Sequence, residues 1–241
     1  MVNKNTIKIF IYLSIFSLAM GYLESAVVIY LRKIYYPEGF VFPLKAIDQH
    51  TAIVEIFREA ATLIMLAVAG FLAGRTRTER FGFFLYCFGI WDIFFYVFLK
   101  LLIGWPESLL TWDILFLIPV TWVGPVIAPV INSLTMLALA VFISYFTDKN
   151  IPTSIKKPEW VLLILGSLVV IISYTFDYLN FMLKRFDLSD FFDPSRQSDI
   201  LKNATGYIPQ AFPWWIFIAG ELILLLAIYR FYARQRKSCL K

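Results

Sequence analysis

Six apolar stretches, at residues 7–31, 51–73, 81–103, 128–147, 159–180 and 213–233, set the limits on what this chain can fold into. Each is near or above the roughly 20 residues that a helix needs to cross a hydrocarbon core about 30 Å thick. In that solvent every backbone N–H and C=O must find a partner within the protein. The expected fold class is therefore all-α, a polytopic transmembrane helix bundle. Hydrophobic residues make up 60% of the chain and charged residues 16%, most of them between the stretches, which is too apolar for an ordinary soluble domain. No internal repeat, low-complexity tract or separate soluble domain interrupts the pattern, so residues 1–241 are read as a single integral membrane domain.

The first stretch is longer than the apolar core of a signal peptide. It ends in Tyr30-Leu31-Arg32-Lys33 rather than in a small-residue cleavage site, and is expected to be a retained helix. Arg75, Arg77 and Arg80 separate the second stretch from the third. Pro158 and Pro213 stand at helix-start positions of the fifth and sixth.

Residues 104–127 break the pattern. Gly104-Trp105-Pro106 is followed by an apolar run from Leu109 to Val120 that holds Asp113, and then by Pro119, Gly124, Pro125 and Pro129. Proline removes a backbone donor and clashes with the preceding turn, so one straight helix over 107–147 is not expected. The segment is either a seventh span or a short helix that enters the membrane and returns. Counting Lys and Arg separates the two. Six spans with a cytoplasmic N-terminus put 13 basic residues inside and 7 outside, whereas a seventh span gives 9 inside and 11 outside. The positive-inside rule favours six spans, both termini cytoplasmic, and a re-entrant or interfacial segment at about 104–127. In the outside loop 181–212, Asp193-Pro194 predicts a helix cap and a short helix to about Asn203.

Charge inside a span costs about 2.5–3.5 kcal/mol per residue on insertion scales. Here such charges share the outer half of the bundle. Glu24 lies in the outer third of the first span, on one stripe with Val28 and Arg32. Glu55, Arg58 and Glu59 share one face of the second, where the arginine can pair with either carboxylate. Asp92, Tyr96 and Lys100 follow at four-residue steps in the third. Gly166, Ser173, Asp177 and Asn180 share a face of the fifth, and Glu221 lies about two turns below Trp214-Trp215 in the sixth. Glu107 and Asp113 add acceptors in the broken segment. Glu24, Glu55, Arg58, Glu59, Asp92, Tyr96, Asp113, Asp177 and Glu221 are thus the candidates for binding a substrate or an ion.

Each group also has a plainer explanation. Glu55, Arg58 and Glu59 fit an ion-pair cluster at a helix start. Asp177 and Lys100 are placed to snorkel to headgroups, and the deep carboxylates fit as structural partners of Arg58 or Lys100. Trp105, Trp112 and Trp122 suit a surface-lying amphipathic helix with aromatic anchors.

Several chemistries are argued against. His50 is the one histidine, which rules out multi-histidine haem or zinc sites and histidine-dependent phosphatase chemistry, and there is no G-x-S-x-G motif. No phosphate loop or dinucleotide fingerprint occurs. The two cysteines, Cys87 in a span and Cys239 near the C-terminus, make no disulfide framework, and Cys87 reads as inert core. The formal charge of +5 lies in residues flanking the spans, so a nucleic-acid partner is not expected. What remains is carboxylate work: proton relay, hard-cation binding, or acid–base catalysis on a lipid-linked substrate. Asn203-Ala-Thr205 is a glycosylation sequon.

The block WDIFFYVFLKLLIGWPESLLTWDILFLIPVTWVGPVIAP at 91–129, with YLESAVVIYLR at 22–32, resembles an uncharacterised family of small multi-spanning bacterial inner-membrane proteins. The resemblance implies an inner-membrane setting and attaches no activity. It points to Glu24, Asp92, Trp105, Pro106, Asp113 and Pro125 as positions to test.

The leading functional expectation is transport or ion/proton-coupled binding of a small solute at a carboxylate-rich, periplasm-facing pocket. The alternatives are an intramembrane enzyme acting on a lipid or lipid-linked substrate at the outer leaflet, and an accessory or assembly subunit of a membrane complex. The expected partners are the lipid bilayer together with a small solute, a cation or a lipid-linked substrate. A homo-oligomer or a larger membrane complex is compatible with the sequence, and no cofactor is expected.

Overall fold

The computed structural model describes residues 4–239 apart from residues 46, 119, 150 and 188. Six helices are long and apolar enough to cross a membrane: α1 (Lys4–Tyr35), α2 (Gln49–Ala73), α3 (Arg77–Ile103), α4 (Ile127–Asp148), α5 (Lys157–Met182) and α7 (Trp214–Cys239). A short α6 (Gln197–Ala204) lies in the loop before α7. The chain is thus a multi-pass bundle of the all-α class. α2 and α3 begin a few residues before their apolar stretches, at polar caps. Asp48 accepts from Thr51 N–H (3.0 Å) at the start of α2, and Thr76 and Glu79 form a reciprocal capping box at the start of α3.

The segment between α3 and α4 is neither a seventh span nor a helix. It forms an antiparallel hairpin, β1 (Trp112–Phe116) with β2 (Trp122–Pro125), pairing Asp113 with Gly124 and Ile114 with Val123, with an irregularity between Ile114 and Phe116. Two strands satisfy each other's backbone groups, which lets non-helical chain sit against the helices. Pro119, one of the residues expected to break the helix, lies outside the described residues.

α3 is the hub of one half of the bundle and packs against α1, α2 and α4, while α7 joins α4 to α5. α1 and α2 touch each other only slightly. The α5–α7 contact is close because Gly166 and Gly220 face each other. A Cβ on Gly166 would meet Leu224 Cγ at 2.8 Å and the Gly220 carbonyl oxygen at 3.1 Å. Gly166 therefore serves packing and is not part of a polar face with Asp177. At one end of the bundle lie the hairpin and the C-terminus of α1 (the hairpin end); at the other, Thr6 of α1 donates to Asp148 of α4 (the terminal end).

Asp193 accepts from the backbone N–H of Ser195 at 2.8 Å and stands between two short 3₁₀ turns, Asp190–Phe192 and Pro194–Arg196, the second of which leads into α6. Asn203 of the sequon is buried and takes a hydrogen bond from Arg185, so in this fold it is not presented for modification.

Candidate functional site: a carboxylate cavity under the hairpin

Glu24, Glu59 and Asp92 each lie ten or eleven residues from the hairpin end of α1, α2 and α3. At 1.5 Å rise per residue that is a common depth of about 15 Å. With Arg58, Thr62, Trp91 and Tyr96 they line a cavity of about 60 Å³, which hairpin residues Ile114, Leu115 and Phe116 close from one side. One water needs roughly 10–15 Å³ of such space, so the cavity holds a few waters or one small ion and excludes a sugar-sized solute.

The polar contacts tie three elements together. Arg58 donates from Nη1 to Glu24 Oε1 and from Nε to Glu55 Oε2, the latter at 2.8 Å. Thr62 Oγ1 donates to Glu24 Oε2 at 3.4 Å. Glu59 Oε2 accepts from the backbone N–H of Leu117 at 2.9 Å, which fixes the hairpin tip to α2. Asp92 Oδ2 accepts from Ser133 Oγ of α4 at 2.7 Å. The cavity and its rim thus hold four carboxyl groups, Glu24, Glu55, Glu59 and Asp92, and one guanidinium. Away from water an unpaired carboxylate is costly, so the excess must be met by protons or by a cation. Trp91 adds a buried indole N–H that no acceptor meets among the described residues.

The other candidates lie elsewhere. Asp113 is 2% exposed and accepts from Arg32 Nη2 at 2.9 Å, while the Arg32 guanidinium lies over the rings of Trp105 (3.7 Å) and Phe40 (4.6 Å). Burial pushes the Asp113 carboxyl up to about 6 against the opposing pull of Arg32. Glu221 is buried and takes hydrogen bonds from Asn132 Nδ2 (2.8 Å) and Thr135 Oγ1 (2.7 Å) of α4. Asp177 accepts from Tyr207 Oη at 2.7 Å and from the Gln210 N–H at 3.2 Å, and so braces the loop before α7. Lys100 does not reach a deep carboxylate; its Nζ donates to the carbonyls of Gly104 (3.0 Å) and Pro106 (2.8 Å). Cys87 is fully buried in an apolar cluster with Leu66 and Phe83. His50 is exposed.

The sequence does not single out Trp91, Thr62 or Ser133, which meet the cavity, nor Asn132 and Thr135, beside Ser133 on α4, which hold Glu221. The α4 residues carried a usable signal, since three polar side chains within four residues of an apolar helix need partners. Among the described residues no group of three His, Cys, Asp or Glu side chains converges as a metal-ligand set.

Fold and site together define a multi-pass membrane protein with a small carboxylate-lined cavity inside the bundle. No protein family, curated protein or solved structure matches this chain, so the site is interpreted from its own geometry.

Proposed function

We propose that this protein couples proton binding at the Glu24–Glu59–Asp92 cavity to the movement of a solute across the membrane. The observation that carries the proposal is the convergence of these carboxyl groups from three helices at one depth, with one guanidinium among them. A cavity of about 60 Å³ suits the coupling ion; a larger solute binds only when the hairpin tip leaves Glu59. The distribution of Lys and Arg supports a cavity on the periplasmic side of an inner membrane, with both termini cytoplasmic.

The test is proton flux in proteoliposomes with a pH-sensitive dye inside and an imposed potassium diffusion potential. Wild-type protein acidifies the lumen, and Glu24→Gln and Asp92→Asn each abolish the flux while leaving expression and elution unchanged. Wild-type flux in both variants overturns the proposal.

Catalysis on a lipid-linked substrate has one observation behind it. α1 and α2 leave an open apolar groove of about 600 Å³, lined by Leu13, Phe16, Met65 and Leu72, on the terminal side of the cavity. Its apolar lining suits an acyl chain. An accumulated lipid precursor in a deletion strain, with no proton flux in liposomes, would favour this alternative.

A further inference from the structure

A second charged site lies at the terminal end, away from the carboxylate cavity. Between the start of α5 and the end of α7 runs an open groove of about 620 Å³ lined by Lys156, Arg230, Arg234 and Lys237, with Glu159 as its one carboxylate among the described residues. Arg230, Arg234 and Lys237 follow at four- and three-residue steps, which puts them on one face of α7.

Glu159 is already committed. It takes two hydrogen bonds from Arg234, Nε to Oε1 and Nη2 to Oε2, both at 2.8 Å, and Arg234 also donates to the Ser154 carbonyl at 2.7 Å. Lys156, Arg230 and Lys237 are exposed and form no ion pair among the described residues. The groove therefore carries three uncompensated positive charges. The positive end of the α5 helix dipole lies beside them.

What lies next to that charge identifies the ligand. Toward the membrane interior the flanks of α5 and α7 expose Val161 and Leu165 on one helix and Leu222 and Leu226 on the other, with Tyr229 at the junction. A free anion has no use for such flanks, and a neutral lipid leaves the three cations unmatched. A phosphodiester with two acyl chains satisfies both halves.

We propose that this groove binds an anionic phospholipid, with its phosphate at Lys156, Arg230 and Lys237 and its acyl chains along the apolar flanks of α5 and α7. The site is independent of the coupling cavity and keeps its meaning if that proposal fails.

The experiment is native mass spectrometry of the full chain in a neutral maltoside detergent, with equimolar phosphatidylglycerol and phosphatidylcholine. Wild-type protein retains phosphatidylglycerol preferentially. The double variant Arg230→Gln/Lys237→Gln binds it about twenty-fivefold more weakly, two losses of roughly fivefold each, and binds phosphatidylcholine as before. Lys156→Gln, on the other helix, gives an independent loss of about fivefold. Arg75→Gln/Arg77→Gln, which removes cations outside the groove, leaves the preference intact. Arg234 stays unaltered because it holds Glu159. Equal retention of the two lipids, an unchanged preference in the double variant and in Lys156→Gln, or an equal loss in the control would overturn the site. Inorganic phosphate raising the unfolding midpoint as much as phosphatidylglycerol does would assign the groove to a free anion and overturn the lipid proposal.

Discussion

The backbone N–H of Leu117 donates to Glu59 Oε2 at 2.9 Å, across 58 residues of sequence. That bond joins the tip of the hairpin to the middle of a spanning helix. It also makes one cavity carboxylate do two jobs: Glu59 both lines the cavity and fastens the element that closes it. Any change in the charge or position of Glu59 acts on the closure as well.

Replacing Glu59 separates the two roles. Glutamine keeps an acceptor oxygen for Leu117, whereas alanine leaves the N–H without a partner at a cost of about 1–3 kcal/mol. With Ile118→Cys as a reporter in a Cys87→Ser/Cys239→Ser background, Glu59→Ala is expected to speed maleimide labelling of the tip several-fold. Glu59→Gln is expected to label near the wild-type rate. Equal rates in all three proteins would mean that this bond does not hold the hairpin.

Arg58 is the cation between Glu24 of α1 and Glu55 of its own helix, and its side chain is 21% exposed. Removing one partner of a buried pair leaves the other charge unmatched, which costs on the order of 3–5 kcal/mol. Arg58→Met is therefore expected to lower the unfolding midpoint strongly. Adding Glu24→Gln to that variant should recover part of the loss, because the stranded charge is gone. A double variant no better than the sum of the two singles would show that the pair is not coupled.

The depth of the site was legible in the sequence, and its membership was only partly so. Charge in an apolar span is expensive wherever it falls, and counting along a helix gives its level. The sequence puts Glu24, Glu59 and Asp92 in the same half of the membrane but leaves Glu59 with Glu55 near the interface; the observed helix bounds bring it to the level of the other two. Which of them meet depends on helix rotation, and packing sets that rotation. Glu221 turns to Asn132 and Thr135 of α4, and Asp113, carried by the hairpin rather than by a helix, meets Arg32 near the end of α1. The hairpin was hidden for another reason. Its prolines and glycines argued against a straight helix, yet the aromatic and β-branched runs Trp112–Phe116 and Trp122–Val123 were weighed as a helix because membrane segments are usually helical.

Gly166 illustrates the same limit and gives a direct check. Spacing alone put it on a polar stripe with Asp177, but it sits where α5 crosses α7 against Gly220. Gly166→Leu is expected to destabilise the α5–α7 pair by about 1–3 kcal/mol, through overpacking against Leu224. A residue bordering a polar site would show little change in unfolding and a change in ion binding instead.

The Arg32–Asp113 pair makes stability depend on pH. Burial raises the Asp113 carboxyl from 3.8 in the unfolded chain to about 6 in the fold, with Arg32 pulling the other way and Asp92 and Tyr96 nearby. A carboxyl whose folded pKa is raised contributes stability that is complete below about 4 and is lost as pH rises through about 6. Its share of the fall is at most about 3 kcal/mol. The unfolding midpoint of wild-type protein is expected to fall between pH 4 and pH 7. Asp113→Asn removes that part of the slope, although it also leaves Arg32 without its carboxylate and lowers the midpoint throughout. The slope, and not the absolute midpoint, therefore isolates the titration. An Asp113→Asn profile parallel to wild type would mean that another group carries the pH dependence, while Trp105 and Phe40 hold the arginine in both proteins.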